Sequence, residues 1–298
     1  MRLSTVILPV RRWHDGGREQ WVRAERLGFH AAYTYDHLSW RSLRDRAWFG
    51  AIPTLTAAAG VTERLRLGTM VTSPNFRHPV TLAKELITLD DVSGGRITLG
   101  IGAGAAGYDA TALGQEAWSP RERAARFEEF VPLLDRLLTE DAVSHDGVHY
   151  SASEARTIPG CVQRPRLPFA IAAAGPRALR VVARHGQAWV TIGDIRLWQT
   201  GTPEQSMEAI REQSARLDDA CAAEGRDPAG LERVLLTGLT PDRPLASLDA
   251  FVDFAGKYEA LGFTEIVVHA PVPDSMFDTS EEVFERIATE GLAQLSGN

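Results

Sequence analysis

Cysteine is nearly absent: Cys161 and Cys221 are the two thiols in 298 residues. Their separation fits neither a metal-ligand pair nor a disulfide framework, and so few thiols in a long chain point to the reducing cytoplasm. Long apolar runs are missing as well. No segment approaches the roughly 18 uninterrupted apolar residues of a membrane span, and the short apolar run before Pro9 is too brief for a secretory signal. Neither a membrane nor a secretory route is expected. Positive charge is in deficit, with 32 Lys and Arg against 39 Asp and Glu and a net charge of −7, so the basic footprint of a nucleic-acid binder is lacking. Arginines do gather around positions 41–46 and 121–126, where they read as solvated helix faces. The histidines show no paired spacing with carboxylates that makes a ligand set, and no metal is expected.

What is present is a rhythm. Short runs rich in Val, Ile, Leu and Thr fall at 3–8, 31–35, 65–71, 97–101, 169–173, 188–192, 234–239 and 265–269, each followed by a longer stretch with helical periodicity. Repeated strand-helix alternation implies parallel strands joined by right-handed crossovers. Eight such units close into a single (β/α)8, or TIM, barrel spanning 1–298 more naturally than they form an open doubly wound sheet. The spacing predicts a helix over 18–27 that stops at Gly28, another over 79–92 that stops at Ser93-Gly94-Gly95, and a third opened by Ser119 or Pro120. Pro132 inside the third predicts a kink or a broken turn. The rhythm breaks at 139–166, an insertion between the fourth and fifth strands. There, alternation around Asp146-Gly147 predicts a hairpin that acts as a lid over the site.

In a barrel the chemistry follows the strand ends. The second strand ends in Tyr35-Asp36-His37-Leu38-Ser39-Trp40, which offers an anion, a proton carrier and a flat apolar surface. The third runs through Gly68-Thr69-Met70-Val71-Thr72-Ser73-Pro74-Asn75-Phe76-Arg77. The fourth gives Gly100-Ile101-Gly102-Ala103-Gly104, which is not a dinucleotide fingerprint because the third required glycine falls on Ala105. The fifth ends in Ala172-Ala173-Ala174-Gly175-Pro176-Arg177. A helix opened by Gly-Pro presents free amides and its positive dipole end, a ready phosphate site, and Arg177 would add charge.

Together these strings, over about 24–194, resemble the luciferase-like monooxygenase superfamily of flavin- and coenzyme F420-dependent oxidoreductases. The resemblance implies that Asp36, Thr72, Ser73, Gly104, Tyr108, Ala173, Ala174 and Gly175, with Pro176 and Arg177, hold the cofactor, and that His37 and Trp40 stand at the redox-active carbon. It also implies a cis peptide at the third strand end, at Thr72–Ser73 or Ser73–Pro74, and a homodimer built through helices on one side of the barrel. The implied activity is hydride transfer between coenzyme F420 and a small organic substrate, with His37 as general acid/base or as a hydrogen-bonding group on the substrate, and Tyr108, His145 and His149 as secondary proton-donor candidates. The sugar-phosphate branch uses a glutamate where this chain has Ala105, so that branch's substrate is not implied. An FMN-dependent monooxygenase and a non-catalytic accessory barrel are the alternatives. Trp13, Trp40, Phe76, Tyr108 and Trp118 are expected to make the pocket wall aromatic.

Overall fold

A computed structural model describes residues 1–293. The strands are β1 (Arg2–Val6), β2 (Ala31–Thr34), β3 (Arg66–Thr69), β4 (Ile97–Gly102), β5 (Ala142–Asp146), β6 (Ser151–Arg156), β7 (Phe169–Ala172), β8 (Ala188–Thr191), β9 (Glu232–Leu236) and β10 (Glu265–His269). Eight of them close into a parallel barrel in the order β1-β2-β3-β4-β7-β8-β9-β10, and β10 returns to β1. Only β5 and β6 stand outside, as an antiparallel hairpin.

Helices α1 (Arg18–Arg26), α2 (Ala51–Ala59), α3 (Pro79–Val92), α5 (Pro120–Thr139), α6 (Pro176–His185), α7 (Pro203–Ala223) and α8 (Leu248–Ala260) clothe the barrel, with short α4 (Tyr108–Ala112) and α9 (Glu281–Arg286) in the loops. Capping explains many of their starts. Ser119, Ser247 and Ser280 each accept a backbone amide at the helix start, and Thr202 with Gln205 forms a reciprocal capping box. Most strands stop short of the expected C-terminal ends, because those residues turn outward into the loops that carry the site. Pro132 breaks nothing: α5 continues through it. Its face of Phe127, Phe130, Val131, Leu134 and Leu137 is fully buried, and that packing outweighs the amide a proline removes.

Leu55, Leu82, Phe127, Phe169 and Leu217 belong to the core cluster shared by the barrel and its helices, while Val6, Ala31, Tyr33, Ala170, Ala188 and Val267 belong to a second cluster in the interior. The N-terminal end of the barrel is plugged by polar groups. There Glu265, buried, accepts from Tyr33 at 3.1 Å and lies 3.4 Å from the Arg2 guanidinium. Among the described residues no helix is long and apolar enough to cross a membrane.

Candidate active site

A cavity of about 1470 Å³ opens at the C-terminal end of the barrel, walled by the loops after β2, β3, β4, β7, β8 and β9. It exceeds the roughly 300–1,000 Å³ of ordinary small-molecule pockets, which suits a large ring system together with a second molecule. The structure brings most of the sequence-predicted residues to its wall: His37, Trp40, Ser73, Gly104, Tyr108, Ala173, Ala174, Gly175, Pro176 and Arg177.

Asp36 and Thr72 are not on the wall. Asp36 is buried and receives the Thr72 hydroxyl at 2.9 Å and two bonds from Arg77, at 2.7 and 3.1 Å. Burial alone would lower the pKa of Arg77, but the bonds and charge of Asp36 outweigh it and raise the value. This closed ion pair ties the β2 and β3 loops together behind the cavity. The cis peptide lies at Met70–Val71, not at Thr72–Ser73 or Ser73–Pro74. Thr72 has already rejoined the sheet, donating to the Gly100 carbonyl at 2.8 Å and pairing with Ile101.

The reactive corner is built around His37. Its Nδ1 lies 2.7 Å from Asp109 Oδ2, while Asp109 Oδ1 accepts the Leu38 amide at 2.7 Å. Asp109 is buried, and with its Oδ2 accepting from Nδ1–H the imidazole keeps Nε2 as the working nitrogen. Sequence reasoning chose Tyr108 and passed over Asp109. The available signal was an acid in the first turn of a helix at a strand end, and its partner is distant in sequence. Beneath His37 the wall is aromatic. Tyr35 meets Trp40 edge-on at 5.3 Å, Trp40 stacks on Phe277 at 5.7 Å, and Phe277 stacks on His269 at 3.9 Å. His269 accepts or shares the Tyr35 hydroxyl at 2.9 Å, and burial lowers its pKa to about 3.

The opposite corner suits an anion. Gly175 opens α6 without the side-chain cap that many other helices here carry, and its first turn borders the cavity. Arg177 is already paired with Glu128. Between the two corners lie small residues, Gly102 to Gly104 and Ala172 to Ala174, and the buried Ser73 hydroxyl, which has no hydrogen-bond partner among the described residues. Gly104 takes φ +77°, and a Cβ there would sit 2.7 Å from the Asn75 amide that holds this loop. A stretch of small residues, a buried hydroxyl without a partner among the described residues and uncapped amides together fit a flavin-like ring carrying a phosphate.

Other residues expected at the site do not line the cavity. No residue of 139–166 lines the cavity. Glu129 on α5 accepts the His149 and Tyr150 amides at 3.0 and 2.9 Å and lies 3.2 Å from His145 Nε2, which clamps the hairpin to the outside of α5. Neither His145 nor His149 lines the cavity. Trp13, Phe76 and Trp118 do not reach the wall; Trp118 lies under Arg126, and Trp13 lines a separate groove with Trp21 and Phe49. The two arginine clusters expose Arg41, Arg44 and Arg121 to solvent and place them, with Arg123, at the cavity mouth.

A family model described as luciferase-like monooxygenase matches residues 13–243. An F420-dependent glucose-6-phosphate dehydrogenase of Beutenbergia cavernae is 33% identical over 320 aligned positions, covering 92% of this chain and 91% of that protein. The F420-dependent tetrahydromethanopterin reductase of Methanopyrus kandleri superposes with a TM-score of 0.76 at 17% identity, covering 99% of each chain. A monooxygenase of Streptomyces bottropensis superposes at 0.77 with 22% identity, again over 99% of each. At these identities the two structures are likenesses of fold.

Proposed function

Because the chain belongs to the luciferase-like monooxygenase family, we propose that its cavity holds coenzyme F420 and that it works as a dehydrogenase or reductase on a small organic substrate. When bound, the deazaflavin supplies the two-electron hydride acceptor or donor. The observation that carries the reading is the His37–Asp109 pair on the wall of a slot whose far corner is the uncapped start of α6. A hydride leaving or entering carbon must be accompanied by a proton at the attached heteroatom, and His37 Nε2 is the group placed to carry it. Asp109 is the only carboxylate among the described wall residues, and it is committed to His37. Ala105 offers no proton, so acid/base work falls on His37 with no glutamate beside it. Gly175 and the first amides of α6 would hold the phosphate, Ser73 and the small residues of the β4 and β7 ends the ring and its chain. The relative from Beutenbergia cavernae supports the choice of cofactor by its name.

Titration of the purified chain with coenzyme F420 and, separately, FMN, followed by absorbance and fluorescence, tests the assignment. Saturable binding of the deazaflavin is expected. Tight FMN binding with no response to the deazaflavin would make the protein a flavin monooxygenase instead, and silence toward both would make it a non-catalytic barrel.

A further inference from the structure

The substrate side of the cavity carries arginines that have no ion-pair partner among the described residues. Leaving histidine aside, the charged wall residues are five arginines and one acid, Asp109, whose oxygens already serve His37 and Leu38. A chain of net charge −7 thus concentrates positive potential at this mouth, where low-dielectric walls focus it on an entering ion. The arginines divide by position. Arg121, Arg123 and Arg177 belong to α5 and α6, on the phosphate side; Arg177 is paired with Glu128 and Arg123 bonds the Trp118 carbonyl.

Arg41 and Arg44 stand on the other side, in the loop after β2, beside His37. The Arg41 guanidinium lies over the Trp40 ring at 5.4 Å and that of Arg44 over the Tyr108 ring at 4.3 Å. Neither has an ion-pair partner among the described residues. Their neighbour Arg46 is used differently: it donates to the carbonyls of Pro273 and Asp274, each at 2.8 Å, and so ties the end of this loop to the segment after β10. The loop is therefore anchored while two of its cations are held over rings of the cavity wall. Arg41 moreover keeps φ at +39°, a region a residue with a Cβ rarely adopts and one that recurs at ligand-binding turns.

We propose that Arg41 and Arg44 form an oxyanion subsite, so that the substrate carries a carboxylate or a phosphate monoester gripped there while its reacting carbon faces His37. Guanidinium groups suit either oxyanion through charge-assisted, forked hydrogen bonds, and the rings beneath them keep the groups oriented. The subsite deepens the oxidoreductase reading, since that reading supplies the reacting carbon, but the anion site itself stands on the arginines alone.

The test is calorimetric, at low ionic strength and without cofactor, on the full chain. Glycolate probes the carboxylate, glycerol 3-phosphate the phosphate monoester, and glycerol the uncharged frame. At least one anion is expected to bind saturably while glycerol stays silent, and the anion that binds names the source. Replacing both residues, Arg41→Gln with Arg44→Gln, should weaken that anion by at least about tenfold, with the melting temperature held because both side chains are exposed. Two results would overturn the proposal. One is that neither anion saturates; the other is that Arg121→Gln abolishes binding while the double variant does not, which assigns the anion to the α6 corner. Because no cofactor enters this titration, its failure and a failure to bind coenzyme F420 are read separately.

Discussion

At the residue scale, Asp109 decides what His37 can do. A neutral imidazole left to itself divides between two tautomers, and only the one with Nδ1–H toward Asp109 leaves Nε2 free to accept a proton from substrate. Asp109→Asn can present its amide to Nδ1 and reverse the tautomer while preserving the volume. Turnover is expected to fall by about a hundredfold, with coenzyme affinity unchanged because Asp109 lies at the corner opposite α6. Steady-state rates alongside a coenzyme titration check both halves; equal losses in rate and affinity would place Asp109 in the cofactor site instead of behind the histidine.

At the element scale, the hairpin shows how placement escapes a linear reading. Gly147 sits against the Glu129 carboxylate and the His145 ring so closely that an added Cβ would overlap both. Gly147→Ala must therefore push the hairpin off α5, at a cost of about 1–3 kcal/mol. A lower melting temperature with unchanged coenzyme affinity and turnover is expected. A change in turnover instead would mean that the hairpin reaches the cavity during catalysis and acts as the lid its length suggests.

The same contrast runs through the whole chain. Strand-helix alternation was legible because each buried parallel strand is written as an apolar run, and the α6 corner was legible because Gly175-Pro176 is local chemistry. The hairpin itself was legible from Asp146-Gly147, but its seat depends on Glu129, a residue on another element. The His37–Asp109 pair spans 72 positions and leaves no local trace. Arg41 and Arg44 were legible as exposed but not as bordering the cavity, because an exposed arginine on a short segment looks the same whether it faces bulk water or a cavity mouth. The cis bond lies at Met70–Val71, ahead of the expected positions, and the hydrogen bond from Thr72 to Gly100 belongs to sheet register, which sequence does not print.

At the scale of the whole molecule, β10 carries two buried ionisable groups that act on stability in opposite directions. Glu265 at the floor has its pKa raised by burial, which the bonds from Ser4 and Tyr33 and the charge of Arg2 only partly offset. Its native state keeps a proton that the unfolded chain has released, so its contribution is lost as pH rises above the ordinary carboxyl range. His269, one strand length away at the site end, is the reverse. Unfolded, it protonates near 6.5; folded, burial holds it neutral until about 3. Between those values the unfolded chain binds a proton that the barrel does not, so stability falls as pH falls. From pH 6.5 to 5 this amounts to about 2 kcal/mol, or about 3 °C in melting temperature for a chain of this size. His269→Gln offers Tyr35 a partner where Nε2 stood and removes the titration. Its melting temperature should therefore decline over that interval by about 3 °C less than that of the parent. Parallel declines in differential scanning calorimetry would mean that His269 is protonated inside the folded barrel, and that the Tyr35–His269 pair beneath Trp40 is charged when the site works in acid.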